Sequence, residues 1–395
     1  MKNKFLVLLT LLLAFSMVLA ACTPAAPTEE PAAEEPAVEE PVEEATEEPV
    51  EEATEEPVEE ETEEPTEEPT EEEAAPAGEV IEGFKAGMVT DVGGVDDRSF
   101  NETTWNGLRQ AGEDLGIDVT VLESQAQTDY ATNLSQLIEQ NYNLIVTVGF
   151  LLGEDTQAFA LENPDTLFAI VDFDYEDPPE NLKGVVFATD EAAFLAGYAA
   201  AAMTQTGVVG MFGGLEIPTV TIFMDGFAAG VAYYNEQNDA NVVVLGRDLF
   251  AGNFESTDDG RRIGEDLIAE GADIIMPVAG PVGLGTAAAA ADNEGVKIVG
   301  VDTDWCISAP EFCPVMLTSV VKKMDVAVYD ITVAAATGAA ENWSERYLGT
   351  LENDGVDIAP FHEYEDDLPE GLLDELEQIR QMIISGEIVV TDYYP

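Results

Sequence analysis

Basic side chains are scarce in this chain. Its 395 residues hold 14 Lys and Arg against 81 Asp and Glu, a formal net charge of −67. Such a surface repels phosphate backbones and anionic headgroups, which excludes nucleic acid and anionic lipid surfaces as partners. Histidine is scarcer still: His362 is the only one, and its neighbours Glu363 and Glu365 mark a solvated stretch. No Gly-x-Ser-x-Gly elbow is present, so Ser–His catalysis lacks its parts. The glycine-rich run from Gly280 to Thr286 has no Lys-Ser/Thr end, so it is not a phosphate-binding loop. Asp91 to Glu102 has the length of a calcium loop, but Gly93 and Val95 occupy ligand positions and Asp96 stands where glycine belongs. No enzyme activity, metal or cofactor is expected.

Long apolar runs are missing after the first twenty residues, and none reaches the ~18 residues a membrane span needs. The N-terminus itself has two lysines, an apolar run and then Leu19-Ala20-Ala21-Cys22. That is a secretory signal ending in a lipobox, in which Cys22 would take the diacylglycerol. Residues 23–80 form a Pro/Glu/Thr/Ala tract with repeats such as E-E-A-T-E-E-P-V and almost no large apolar side chains. A segment like this cannot bury enough surface to offset chain entropy, and it reads as a disordered tether. At ~3.1 Å per residue its contour could exceed ~100 Å. Of the three cysteines, lipidation leaves Cys306 and Cys313. Outside the cytoplasm so close a pair favours a disulfide closing a short loop.

The remaining length suits two lobes. Apolar runs at 86–89, 117–122, 144–148, 167–172 and 184–187 alternate with helical periodicity, with Thr128 a plausible cap for a helix over 130–141. The pattern restarts at 208–212, with strands at 242–245, 274–277 and 298–301 between helices at 191–204, 223–234 and 260–270. Continuous apolar strands separated by helices mean parallel sheets covered on both faces, an α/β architecture of two doubly wound, Rossmann-like lobes. The richest segment runs from Met88 to Trp105, M-V-T-D-V-G-G-V-D-D-R-S-F-N-E-T-T-W. A strand that empties into a glycine-rich polar loop opening a helix is where such sheets bind small ligands.

Asp91 to Asn101 resembles the opening motif D-x-G-x-x-D-D-x-S-F-N of the basic membrane protein family of substrate-binding lipoproteins. The resemblance continues in order through F-M-D-G-F-A-A-G ending at Gly230, Gly271-Ala272-Asp273-Ile274-Ile275, Gly300-Val301-Asp302-Thr303-Asp304 (with Trp305 in place of the usual Gln) and Leu317-Thr318-Ser319-Val320-Val321-Lys322. It implies the type I periplasmic-binding-protein fold, with a three-strand hinge between the lobes. The expected division is 1–22 signal peptide, 23–80 tether, 81–189 plus about 318–345 as the N-terminal lobe, and 190–317 plus about 346–395 as the C-terminal lobe. It also implies a monomeric, lipid-anchored protein on the extracytoplasmic face of the cell membrane. That protein would bind a purine nucleoside and deliver it to ABC transporter permease and ATPase subunits. A sensor for another ribosylated or sugar-like ligand is the alternative.

The ligand set the resemblance implies is Asp97, Phe100, Asn101, Gly149, Asp172, Phe223, Ala279, Asp302 and Lys322. In it Phe100 and Phe223 sandwich the base and Asp172 accepts from its edge. Asp97, Asn101, Asp302 and Lys322 hold the ribose hydroxyls.

Overall fold

The computed structural model describes residues 78–394. Cys22 and most of the expected tether lie outside them.

The first half of the chain runs β1 (Lys85–Val89), α1 (Phe100–Leu115), β2 (Asp118–Leu122), α2 (Tyr130–Glu139), β3 (Leu144–Val148), α3 (Gly153–Glu162), β4 (Leu167–Val171) and β5 (Leu182–Phe187). The second half runs α4 (Thr189–Met203), β6 (Val208–Gly213), α5 (Pro218–Asn238), β7 (Val243–Leu245), α6 (Thr257–Ala269), β8 (Ile274–Val278), α7 (Pro281–Ala291), β9 (Lys297–Asp302), the short α8 (Trp305–Ser308) and β10 (Met316–Lys322). After these come α9 (Met324–Ala336), β11 (Tyr347–Gly349), β12 (Val356–Ile358) and α10 (Leu372–Ile384).

The strands form two six-stranded sheets, ordered β11-β5-β4-β3-β1-β2 and β12-β10-β9-β8-β6-β7. All pairings are parallel except β10 with β12. The central strands β3, β8 and β10 are buried at every position, as their unbroken apolar runs require when helices cover both faces. The strands β2 and β7, at one edge of each sheet, have no fully buried residue. These are the two doubly wound α/β lobes of a type I periplasmic binding protein.

Helix α1 shows why the loop before it is ordered. Its buried positions Asn101, Thr104, Leu108 and Ala111 follow helical spacing. Gly107 lies so close to α9 that a Cβ would come within 2.1 Å of the Asp325 carbonyl oxygen. Gly116 ends the helix in the left-handed conformation, its N–H donating to the Gly112 carbonyl. In the second lobe α4 and α5 cross where a Cβ on Gly197 would meet the Phe227 carbonyl at 2.0 Å.

The chain crosses between lobes after β5, after β10 and between β11 and β12. The crossings lie side by side: Ala188 N–H donates to the Gly349 carbonyl (2.7 Å), and Lys323 N–H to that of Gly355 (3.0 Å). Residues 318–322 do not return to the first lobe as expected. They belong to β10, which pairs with β9 in the second sheet, and only α9 packs on α1 of the first. Strand β11, expected in the C-terminal lobe, pairs with β5 in the first sheet. The expected helix at 223–234 starts earlier, at Pro218, a residue suited to a first turn. The cap before α2 is Asp129 rather than Thr128, its carboxylate accepting from the N–H groups of Gln125 and Ala126.

Candidate functional site

A cavity of about 660 Å³ including its mouth lies between the carboxyl ends of the two sheets. Small-molecule sites fall at roughly 300–1,000 Å³. All nine residues named from the sequence line it. The first lobe contributes the loop after β1, Gly149 after β3 and Asp172 after β4; the second contributes α5, Ala279 after β8, Asp302 at the end of β9 and Lys322 at the end of β10.

The centre of the site is the Lys322 ammonium, 2 % exposed. It lies 2.6 Å from Asp172 Oδ2 and 3.0 Å from Asp302 Oδ1. Burial pulls the lysine pKa down, but the two carboxylates outweigh it and hold the group above its ordinary value. Burial in turn raises Asp172, against the pull of Lys322. Both aspartates adopt left-handed backbone conformations, φ 62° and 69°, which Asp tolerates better than most residues. Ser99 Oγ reaches across from the first lobe to donate to Asp302 Oδ2 at 2.9 Å, so two polar contacts to this cluster span the lobes.

The same ammonium sits 4.6 Å from the Phe100 ring centroid and 5.3 Å from that of Phe223, within the range of cation–π attraction. The two centroids are therefore no more than about 10 Å apart. A planar ligand stacked between two rings needs ~7 Å, twice the carbon–carbon contact distance. Phe223 is buried inside α5, and Phe100 is half-buried at the first residue of α1.

Asp97 has a different task from the one expected. Its Oδ1 accepts from the N–H groups of Ser99 and Glu102, and its Oδ2 from the N–H and Nδ2 of Asn101. Four donors leave it little capacity for a ligand hydroxyl. It acts as the anion that starts α1, where helix N–H groups lack partners. Burial pushes its pKa up to about 6 against these N–H donors.

Asn101 is held by two acceptors, Asp91 Oδ1 and Asp97 Oδ2, at 2.8 and 3.0 Å. That fixes its amide, and its Oδ1 is buried without a partner, an acceptor that calls for a donor on whatever fills the cavity.

Asp91, not among the expected ligands, also lines the cavity. Its signal was present, since it is the first residue of the D-x-G-x-x-D-D motif at a strand end. Burial raises its pKa, against hydrogen bonds from Asn101 and Gly93. Gly149 is required beside it: φ is 106°, and a Cβ there would lie 3.2 Å from Asp91 Oδ2. Phe254 and Phe150 complete the apolar wall. Phe254 comes from an irregular stretch between β7 and α6 that carries no periodic pattern.

Cys306 and Cys313 are joined by a disulfide, with their Cα atoms 4.5 Å apart. Asp304, Cys306 and His362 gather nearby, but a disulfide sulfur offers no thiolate to a metal. His362 is partly buried rather than solvated, its Nε2 2.7 Å from Asp304 Oδ2. Among the described residues no helix is long and apolar enough to cross a membrane.

The profile of the Bmp family, described as ABC transporter substrate-binding protein PnrA-like, matches residues 84–393. A CD4+ T-cell-stimulating antigen of Listeria monocytogenes is 32% identical over 326 residues, covering 78% of this chain and 88% of that protein. The ABC transporter nucleoside-binding protein BmpA of Lactococcus lactis subsp. cremoris is 31% identical over 331 residues, covering 80% and 91%. Among solved structures, an ABC transporter solute-binding protein from Aeropyrum pernix K1 superposes with a TM-score of 0.68 at 25% identity, covering 78% of this chain and 92% of that one. An arabinose-binding protein from Geobacillus stearothermophilus, at 14% identity and a TM-score of 0.53, shares the fold alone. The chain belongs to the Bmp family of ABC transporter substrate-binding proteins, which are not enzymes.

Proposed function

We propose that this protein captures a purine nucleoside between its lobes and hands it to an ABC importer, held to the outer face of the cell membrane by a lipid on Cys22. The observation that carries the ligand assignment is that two aromatic rings, Phe100 and Phe223, line one cavity with centroids no more than about 10 Å apart and acceptors around them. A planar base enters between the rings. Its sugar hydroxyls and ring N–H groups supply donors to Asp172, Asp302, Asp91 and Asn101, while Lys322 donates to an oxygen.

The relative named as a nucleoside-binding protein supports the same class of ligand. Asp97 serves indirectly, by fixing the loop that aims Phe100 and Asn101.

The test is calorimetric titration of the purified domain with adenosine, guanosine, inosine and free adenine, followed by chromatography of the recovered ligand. Nucleosides bind, adenine binds at least about tenfold more weakly because it lacks the charge-assisted bonds to ribose, and all ligands are recovered intact. Equal affinity for adenine and adenosine sinks the ribose contacts. Release of free base would make the protein a nucleosidase.

A further inference from the structure

Four side chains of metal-ligand type converge on the second lobe: Asp304, Cys306, Cys313 and His362. Strands β9, β10 and β12 are neighbours in its sheet. Asp304 follows β9, the cysteines fall between β9 and β10, and His362 follows β12. Ser319 of β10 ties the flanking segments together, its Oγ accepting from the Trp305 N–H at 3.2 Å and its carbonyl from the Ala359 N–H at 2.8 Å. The Tyr364 hydroxyl donates to the Pro314 carbonyl at 2.7 Å, which joins the segment carrying His362 to the cysteine loop. The ligand atoms of Asp304, Cys306 and His362 lie within 4.8 Å of one another, and Cys313 Sγ is bonded to that of Cys306. The only histidine of the chain is therefore one of this group.

Two sulfurs, one imidazole and one carboxylate are the donors of a tetrahedral zinc site. Bonds of ~2.3 Å to sulfur and ~2.05 Å to nitrogen and oxygen put the two sulfurs about 3.8 Å apart and the N and O about 3.4 Å apart. His362 Nε2 and Asp304 Oδ2 are now 2.7 Å apart, so a metal in place of the proton they share asks the pair to open by only ~0.7 Å. The cysteine Cα atoms are 4.5 Å apart, and once the bridge is open the sulfurs can separate by side-chain rotation. Asp304 Oδ1 accepts from the Cys306 N–H at 2.9 Å, which orients the carboxylate and leaves Oδ2 for the ion. Asp304 and His362, with side chains 14 % and 28 % exposed, line a surface groove that gives an ion its way in. The excess of acidic residues raises the concentration of divalent cations at the surface.

We propose that Cys306, Cys313, His362 and Asp304 form a zinc site gated by the disulfide. While the bridge is closed neither sulfur is a thiolate, and the site is shut. A protein dithiol opens it by thiol–disulfide exchange: two electrons pass to the Cys306–Cys313 bond, the dithiol becomes a disulfide, and its two protons go to the freed thiols. Zinc binding then releases those two protons to solvent. His362 binds as the neutral ring, its proton on Nδ1 and its Nε2 lone pair on the metal. The loop is thus held by a covalent bridge or by a zinc ion, never by both. The site lies outside the ligand cavity, and the proposal does not depend on which ligand fills the cleft.

The experiment uses the full-length chain with Cys22→Ser, so that the only thiols are those of Cys306 and Cys313. One sample is kept oxidised; the other is reduced with a phosphine, desalted without oxygen and titrated with zinc against a chromophoric chelator. Cobalt(II) is added to a parallel reduced sample and its absorption spectrum recorded. The reduced protein should take up one zinc at least about a hundredfold more tightly than the oxidised one, and zinc should raise its Tm. Cobalt should show a thiolate charge-transfer band and the visible bands of a tetrahedral ion. His362→Ala, with its fold checked by circular dichroism, should weaken zinc binding at least about tenfold in the reduced state. Equal affinity of oxidised and reduced protein would mean adventitious binding to the acidic surface and overturns the proposal. A cobalt spectrum without the thiolate band overturns it on the wild-type residues at 306, 313 and 362 alone, and unchanged affinity in His362→Ala overturns the four-ligand site.

Discussion

Replacing Lys322 by Met removes a charge while keeping an unbranched side chain of similar length. Asp172 and Asp302, each 7 % exposed, would then face each other without the ammonium now 2.6 and 3.0 Å away. Breaking a buried ion pair from one side costs about 3–5 kcal/mol. The lower end applies here, because the contact to Asp172 spans the lobes and opening the cleft returns that carboxylate to water. A loss of about 3 kcal/mol corresponds to a Tm several degrees lower for a domain of this size, and a ligand that needs the closed cleft should lose on the order of a hundredfold in affinity.

Adding Asp172→Asn removes the stranded charge and should return about 1–3 kcal/mol of stability. The pH dependence follows from the same charges. Burial already raises Asp172, and Lys322 is the group that lowers it; without the lysine it rises further. A carboxyl that binds its proton more tightly folded than unfolded stabilises the fold as pH drops. The stability deficit of Lys322→Met should therefore shrink as pH falls from 7 toward 4. Urea unfolding of the two variants across this range is the assay. A Lys322→Met protein as stable as wild type, or a double variant no better than the single one, refutes the account of a shared buried cation.

Phe223→Ala should weaken nucleoside binding by roughly 5- to 150-fold, the cost of one base–aromatic stack, with the circular dichroism spectrum preserved; unchanged affinity would make Phe223 core only. Asp97 is raised to about 6 from ~3.9 unfolded, so its contribution is present in acid and lost as pH rises from about 4 through 6. Asp97→Asn should flatten stability over that window, and urea titrations of the two proteins that stay parallel would count against it. Reducing the Cys306–Cys313 bond, or replacing both by Ser, should cost ~2.5 kcal/mol for so short a loop; peptide maps showing both thiols alkylated before reduction contradict the bridge.

Much of the fold was legible because it rests on period and punctuation. Runs such as Leu144 to Val148 can only be buried on both sides, and Gly149 and Asp172 mark where strands release the chain. The path through the hinge was not legible, because which sheet a strand joins is set by a distant partner, β9 for β10, and not by its own residues. Phe100 and Lys322 were placed by motif order, not by periodicity. Asp97 was misjudged in role because a carboxylate's partners here are backbone N–H groups, which every residue but proline carries and no sequence distinguishes.

The two aspartates at the centre hold corresponding places, each at the end of the fourth strand of its half, each in the same backbone conformation, each on the same lysine. The two acids on the lysine are thus related by the repeat, whereas the base is single and Asp91 and Asp97 line the first-lobe wall alone. Inheritance of one half twice would supply that pair, and the lone lysine gives it a polarity. A ligand bound against the three groups meets unequal ends. Swapping that polarity, by moving the cation to the equivalent end of β5, would be expected to turn the ligand round rather than abolish its binding.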